Sequence, residues 1–189
     1  MKTDLYDVIL EAPIIGAVKN EDSLDRCLKD ENVKVIFLLF GSILTIQEYV
    51  KRIHDAGKIA MVHIDILSGL QCGRDISVDY VSSATEADGI ITTHPKCVRR
   101  AKELGLWSVL RVFLLDSMAR DNIPKQTAFA PDFIEILPGV LPDEIRRISE
   151  ITDIPLLAGG LISEKSDIVS ALQAGAVGIS ASSQHVWGL

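Results

Sequence analysis

The sequence lacks the features that identify several classes of protein. Its three cysteines, Cys27, Cys72 and Cys97, are odd in number, lie far apart and form no Cys-x-x-Cys pair, so we expect neither a disulfide framework nor a zinc site. Residues 1–7 carry charges and no apolar core of a secretory signal, and the longest apolar stretch, 35–40, is too short to span a bilayer. These absences predict a cytosolic protein without a membrane segment.

Nucleotide-binding motifs and an excess of positive charge are also missing. Neither Gly-x-Gly-x-x-Gly nor Gly-x-x-x-x-Gly-Lys-[Ser/Thr] follows the first predicted strand. The 26 acidic residues outnumber the 19 basic ones, and the net charge of -7 disfavours indiscriminate nucleic-acid binding. Two predicted helices still carry local basic groups, which are either an RNA surface or a solvated helix face. These groups are Lys96, Arg99, Arg100, Lys102, Arg146 and Arg147.

What the sequence does contain is a regular alternation of short β-branched runs and amphipathic segments. The 189 residues, 48% of them apolar, are predicted to form one domain over 1–189. Eight strands are predicted at 13–18, 33–40, 59–65, 89–92, 107–114, 133–137, 155–158 and 177–180. The helices between them are predicted at 23–29, 45–56, 76–85, 96–104, 142–151 and 165–174, and Pro124 interrupts the weakest, at 117–129.

This alternation predicts a compact α/β protein, the (β/α)8 TIM barrel of the phosphate-binding type. Parallel strands joined by right-handed crossovers close into a barrel when eight of them share a domain. An open, doubly wound sheet is the alternative.

Two turns of small residues follow the last two predicted strands. Gly or Ser turns that lead into helix N-termini present backbone amides to a phosphate, and in TIM barrels the loops after strands seven and eight hold it. The turns are Ala158-Gly159-Gly160-Leu161 and Ser180-Ala181-Ser182-Ser183. We predict phosphate binding by Gly159, Gly160, Leu161, Ala181, Ser182 and Ser183, through the amides of Gly160, Leu161, Ala181 and Ser182 and the two serine hydroxyls.

Charged side chains inside predicted strands provide a second signal. A parallel barrel buries both faces of each strand, so such charges need partners or a ligand. His63 and Asp65 share one face of the third strand, while Arg111 and Glu135 occupy neighbouring strands and can pair. With Lys19 after the first strand, we predict that these residues recognise a polyol, the alternative being a structural polar network.

Several segments resemble, in order, those of the glycerol uptake operon antiterminator family. The resemblance covers 13–187 and rests on Pro-Ile-Ile at 13–15, His-Ile-Asp at 63–65, Gly-Ile-Ile-Thr-Thr at 89–93, Arg-Val-Phe-Leu-Leu-Asp-Ser at 111–117, Glu-Ile-Leu-Pro-Gly at 135–139, Ala-Gly-Gly-Leu-Ile at 158–162 and Trp187. One departure is His94, which stands where relatives carry Lys or Arg.

The resemblance implies a regulator that binds glycerol 3-phosphate, or a similar phosphorylated polyol, and acts on the leader mRNA of glycerol-utilisation genes. For such a regulator we expect no catalytic residue, no cofactor and no metal. One alternative is a barrel enzyme acting on a small phosphorylated metabolite, with Glu135 or Asp65 as base and His63 as acid, or with a divalent ion between the carboxylates. Another is a ligand-binding module that acts through a protein partner.

Overall fold

The computed structural model describes residues 4–188, whose strands form a closed barrel. Each strand pairs in parallel with the next, and the last pairs with the first. Within the described residues the strands are Ile14–Val18 (β1), Val35–Leu38 (β2), Ile59–His63 (β3), Gly89–Thr92 (β4), Trp107–Phe113 (β5), Phe133–Leu137 (β6), Leu156–Gly159 (β7) and Ala176–Ala181 (β8). The predicted TIM barrel is confirmed, and the open sheet is wrong.

One helix precedes the first strand, and the others follow the strands around the outside of the barrel. They are Leu5–Glu11 (α1), Glu21–Lys29 (α2), Ile46–Asp55 (α3), Asp75–Ala84 (α4), Pro95–Glu103 (α5), Ser117–Asp121 (α6), Ile123–Gln126 (α7), Pro142–Ser149 (α8), Lys165–Gln173 (α9) and Gln184–Trp187 (α10), with a 3-10 turn at Thr127–Phe129. The predicted break at Pro124 separates α6 from α7, because proline has no amide hydrogen to continue a helix. No helix in the stretch 4–188 has the length and hydropathy needed to cross a bilayer.

Two apolar clusters separate the inside of the barrel from its outside. The outer cluster joins the strands to the helices and includes Ile36, Val62 and Ile134. The inner cluster fills the barrel and includes alternate strand residues such as Phe37, Met61 and Phe133. Because side chains alternate along a strand, each strand contributes to both clusters.

Helix α1, which the sequence analysis did not predict, closes one end of the barrel. Asp4 caps it by accepting a hydrogen bond from the Tyr6 amide, 3.0 Å away. Leu5 and Ile9, one turn apart, are buried and belong to the inner cluster. The barrel floor that α1 forms is therefore apolar, and we expect any polar site inside the barrel to lie towards the carboxyl ends of the strands.

A register shift in the last strand pair determines which residues of β8 face inward. Leu156 pairs with Ala176, but Leu157 pairs with Gly178, so that one residue of β8 is skipped. As a result Gly159 pairs with Ser180, and both lie on the inner face of the barrel with Leu157.

Candidate phosphate-binding site at the barrel mouth

The turns after β7 and β8 meet at one pocket at the carboxyl end of the barrel. Its volume is about 170 Å³, small compared with the roughly 300–1,000 Å³ typical of sites for drug-sized ligands. Its lining comprises Ala17, Lys19, Leu39, Arg111, Glu135, Leu137, Gly160, Leu161, Ile162, Ser180, Ala181 and Ser182. Of the residues predicted to bind a ligand, seven line this pocket, and Gly159, Ser183, His63 and Asp65 do not.

A larger hollow of about 520 Å³ lies at the other end of β1, bounded by Pro13, Glu31 and Trp187. It shares no lining residue with the mouth pocket. Since TIM barrels bind their ligands at the carboxyl ends of the strands, the smaller mouth pocket is the candidate site.

Arg111 and Glu135 form a buried ion pair beneath this pocket. They are register partners on β5 and β6, and Arg111 Nε donates to Glu135 Oε2 over 2.6 Å, as the sequence predicts. The other carboxylate oxygen, Oε1, accepts a hydrogen bond from the Ser180 hydroxyl of β8. Both oxygens of Glu135 are thus occupied, and the guanidinium that it holds lines the pocket. This arrangement suits Glu135 to orient Arg111 and makes it a poor proton acceptor.

Gly159 is the residue that allows Glu135 to reach Ser180. These two side chains belong to β6 and β8, so their hydrogen bond passes over the inner face of β7. A Cβ atom at Gly159 would meet Ser180 Oγ and would lie 2.6 Å from Glu135 Oε1. Gly159 therefore serves the polar layer under the pocket, and it does not line the pocket itself.

The turn after β7 has an unusual backbone that leaves its amides unused. Gly160 and Leu161 have φ of 75° and 62°, which is costly for a leucine, and Leu161 is 77% exposed. Among the hydrogen bonds formed within residues 4–188, none is donated by the amide of Gly160, Leu161, Ser182 or Ser183. Unused amides in two adjoining turns are the donors that a phosphate group needs.

Lys19 adds a second positive charge to the pocket. It follows β1 directly and is exposed, and within the described chain its ammonium group forms no ion pair. Arg111 and Lys19 therefore face the pocket with the amides of the β7 and β8 turns. The positive charges and free donors outnumber the single carboxylate, Glu135, which is already paired.

The carboxylate of Asp65 is occupied on the other side of the mouth, between β3 and β4. Oδ1 accepts from the Thr92 hydroxyl at 2.8 Å, and Oδ2 accepts from the Thr93 amide and hydroxyl at 2.6 and 2.8 Å. Burial opposes ionisation, but these hydrogen bonds outweigh it and lower the pKa of Asp65. Cys72 and His94 lie next to this carboxylate. The predicted role of Asp65 in polyol recognition stays a prediction.

His63 lies inside the barrel at the end of β3. Its side chain is buried, and Nδ1 has no hydrogen-bond partner among the described residues. Burial, together with the positive charge of Arg111, lowers the pKa of His63 to about 4, against the opposing effect of Asp65. At neutral pH His63 is therefore an uncharged imidazole with an unsatisfied ring nitrogen.

Most of the basic groups on the helices are engaged in ion pairs. On α5, Arg99 pairs with Asp75 and Glu103, and Arg100 pairs with Asp79 and Glu103. On α8, Arg146 and Arg147 pair with Asp143 and Glu144, and on α5 the ammonium of Lys102 donates to the carbonyl of Ala130. This pattern fits the solvated-face alternative better than an RNA surface, because the arginines already have acidic partners.

Comparisons with known proteins identify the family of this chain. The model of the glycerol-3-phosphate responsive antiterminator family matches residues 14–187. The uncharacterized protein YgcP of Escherichia coli (strain K12) is 38% identical over 98% of this chain and 96% of its own.

Solved structures show the same likeness. A glycerol uptake operon antiterminator regulatory protein of Listeria monocytogenes superposes with a TM-score of 0.88 at 27% identity, over 93% of this chain and 94% of its own. An antiterminator-related protein of Thermotoga maritima superposes with a TM-score of 0.81 at 33% identity, over 93% and 98% of the two chains. Aldolases at 12 to 17% identity share the fold alone. The chain belongs to the glycerol-3-phosphate responsive antiterminator family.

Proposed function

We propose that this protein is a regulator that binds glycerol 3-phosphate, or a closely similar phosphorylated polyol, in the mouth pocket. The observation that carries the proposal is the convergence of the β7 and β8 turns, with their unused amides, on a pocket that also contains Lys19 and Arg111. A dianionic phosphate satisfies all of these donors at once. The pocket volume of about 170 Å³ matches a three-carbon phosphate ester better than a nucleotide.

In this arrangement the phosphate lies over Gly160, Leu161 and Ser182, and Lys19 and Arg111 neutralise it. Ser180 and Glu135 have already used their hydrogen-bonding groups on each other, so their part is to fix Arg111. His63 does not line the pocket, but it is buried close enough to Arg111 to feel its charge, and its unpartnered Nδ1 is the group we assign to a polyol hydroxyl.

The second half of the proposal concerns the output, which we take to be action on the leader mRNA of glycerol-utilisation genes in the cytoplasm. Membership of the antiterminator family supports this output. The ion pairing of the arginines on α5 and α8 argues that RNA binds elsewhere than at those two helices.

An enzyme acting on a small phosphate ester is the second candidate, favoured by the unpartnered imidazole of His63 near the pocket. Against a general-base role for Glu135 or Asp65, the carboxylate oxygens of both residues already accept hydrogen bonds from protein donors. The regulator therefore remains the function that the geometry supports best.

Calorimetric titration with glycerol 3-phosphate, glycerol and inorganic phosphate tests the ligand. We expect saturable binding of glycerol 3-phosphate, weaker binding of phosphate and none of glycerol, since the donors recognise the anion. Gly160→Asp places a negative charge at the turn and should abolish binding. Gly57→Asp is the matched control, because Gly57 has a similar φ of 70° with open space around it. Equal binding by both variants would contradict the site.

Retention of a glycerol-operon leader RNA on the immobilised protein tests the output. We expect retention that depends on glycerol 3-phosphate and is lost in Gly160→Asp. Consumption of phosphate esters of three to five carbons, followed by product analysis, would instead support the enzyme. Specific capture of a protein partner without RNA would support a binding module.

A further inference from the structure

A thiol, an imidazole and a carboxylate lie together on the β3–β4 side of the mouth. Cys72 Sγ lies 3.7 Å from His94 Nδ1, and the same nitrogen lies 3.4 Å from Asp65 Oδ1. The three potential ligand atoms all lie within 4.8 Å of one another. Each residue comes from a different local segment: the loop after β3, the end of that strand, and the start of α5.

We propose that Cys72, His94 and Asp65 bind a divalent transition-metal ion, with Zn²⁺ the best match, and leave one coordination position open. Tetrahedral zinc has bonds of about 2.0–2.3 Å, which place the ligand atoms roughly 3.3–3.7 Å apart. The distances of 3.7 and 3.4 Å agree with that spacing. Thiolate and imidazole are ligands that zinc prefers, whereas Mg²⁺ and Ca²⁺ require oxygen ligands.

Asp65 is oriented for this role by its hydrogen bonds. It accepts three of them, one on Oδ1 and two on Oδ2, from Thr92 and Thr93. An ionised carboxylate has about four lone-pair sites, so one is left, and Oδ1 has accepted only a single bond. That oxygen is the one nearest His94. Supporting hydrogen bonds of this kind fix a ligand and tune its affinity for the metal.

The backbone brings the His94 ring against the loop that carries Cys72. His94 is the N-cap residue of α5, and Pro95 begins the helix. Gly73 has a φ of 70°, and a Cβ atom there would lie 2.7 Å from His94 Cδ2. Only glycine therefore allows the loop and the ring to approach each other so closely, which places the neighbouring Cys72 within reach of the imidazole.

Cys72 is not an activated thiol in the metal-free protein. Burial and the negative charge of Asp65 raise the pKa of Cys72, so its thiol is protonated at neutral pH. The neighbouring thiol of Cys97 is buried, with its pKa raised to about 11. Zinc binding must therefore displace the Cys72 proton to solvent and replace the 3.1 Å contact between His94 Nδ1 and the Thr93 hydroxyl, and affinity should rise with pH.

Titration of the metal-free full-length protein with Co²⁺, followed by displacement with Zn²⁺, tests the proposal. We expect one Co²⁺ per chain, with a thiolate-to-cobalt charge-transfer absorption and the visible bands of tetrahedral cobalt. Cys72→Ser should remove the charge-transfer absorption, and His94→Ala should weaken zinc binding at least about 100-fold.

Cys27→Ala and His185→Ala are matched controls, because they remove a thiol and an exposed imidazole remote from the cluster, and both should bind like the parent. Cys72 is exposed and His94 is partly exposed, so their variants are expected to fold, which circular dichroism checks. Charge-transfer absorption that persists in Cys72→Ser, or parent-like zinc affinity in Cys72→Ser/His94→Ala, would overturn the proposal. No phosphorylated ligand is present, so the result is independent of the proposed function.

Discussion

The two sides of the barrel mouth are built from the same kind of loop but have opposite hydrogen-bonding requirements. On the β7–β8 side, the amides of Gly160 and Ser182 donate to no protein group, and Lys19 has no ion-pair partner in the described part of the chain. On the β3–β4 side, Asp65 already accepts three hydrogen bonds, and Cys72 and His94 stand beside it. The first side therefore has unused hydrogen-bond donors, and the second groups three potential ligand atoms for a cation.

This difference shows how one fold can offer different chemistry at different strands. A turn of small residues leaves the backbone itself as the binding group, which favours an anion. A turn with threonines donates hydrogen bonds to a neighbouring carboxylate and thereby fixes its orientation. An oriented carboxylate beside an imidazole and a thiol favours a cation. The sides share Arg111 and His63 beneath them, and the charge of Arg111 is one reason that His63 is neutral.

Removal of the Glu135 carboxylate should cause the largest loss of stability on the β7–β8 side. Glu135→Ala leaves Arg111 without its buried counter-charge and Ser180 without its acceptor, and we expect a loss of about 3–5 kcal/mol in the free energy of unfolding. Urea denaturation measures it. Asp55→Ala, which removes an exposed ion pair, should cost no more than about 1 kcal/mol.

The double variant Arg111→Met/Glu135→Leu separates stability from binding. It should recover much of the lost stability, because no charge stays buried alone, yet it should not bind glycerol 3-phosphate. A Glu135→Ala protein as stable as the parent would show that the pair is not buried as described.

Lowering the pH should destabilise the folded protein, because the buried, neutral imidazole of His63 resists protonation. The folded-state pKa of His63 is about 4, below the ordinary value of 6.5, so the unfolded chain binds the proton more readily. The contribution of His63 to stability should therefore fall by about 3 kcal/mol as the pH drops from about 6.5 to about 4, and that contribution should level off below this range.

Urea denaturation across this pH range checks the expectation. His63→Gln should flatten the profile, whereas His185→Gln, at an exposed position, should preserve its slope. The same slope in both variants would assign the proton uptake to another group.

A single methyl group at Gly159 should disturb the β7–β8 side while leaving the β3–β4 side intact. Gly159→Ala places Cβ against Ser180 and Glu135, and we expect a cost of about 1–3 kcal/mol in unfolding free energy. Gly188→Ala, with nothing within 4 Å of the added atom, is the control. If Gly159→Ala binds zinc as tightly as the parent, the two sides of the mouth are independent of each other.

The smallest effect concerns the exposed cation of the pocket. Lys19→Ala should lower the affinity for glycerol 3-phosphate about tenfold and leave stability unchanged, because a charge-assisted contact to the phosphate is lost. Lys96→Ala, which removes an exposed lysine elsewhere, should bind like the parent. Calorimetry distinguishes the two. If both variants bind alike, Lys19 does not contact the phosphate.

The fold could be predicted from the sequence because its signals are local and repeated. All eight strands appear where the β-branched runs predict them, with ends that shift by a few residues. The Arg111–Glu135 pair was also predictable, since register partners on neighbouring strands follow from the order of the strands. Helix α1 was missed because its apolar pair, Leu5 and Ile9, is too short a pattern to stand out beside charged neighbours.

The details of the site depend on relations that no local pattern records. Ser180 reaches Glu135 across an intervening strand, which requires both the register shift in β8 and the absence of a side chain at Gly159. The association of Cys72 with His94 joins residues 22 positions apart through two loops. The expectation of no zinc site rested on the three cysteines alone, on their odd number, wide separation and lack of Cys-x-x-Cys spacing, and it stays a prediction. Asp65 could be placed at the mouth, but its threonine partners depend on how the β3 and β4 loops fold.

Helix α1 has a consequence for how a ligand reaches the barrel interior. Among residues 4–188, Leu5 and Ile9 fill the lower opening, and Arg111 lines the pocket at the opposite end of the barrel. A ligand would therefore enter and leave through the mouth of the barrel. The loops that a bound phosphate would contact there are also the loops that another macromolecule can contact. In the function proposed above, a macromolecule that recognises the ligand-bound state could therefore contact the ligand-binding loops directly, without a conformational change at the opposite end of the barrel.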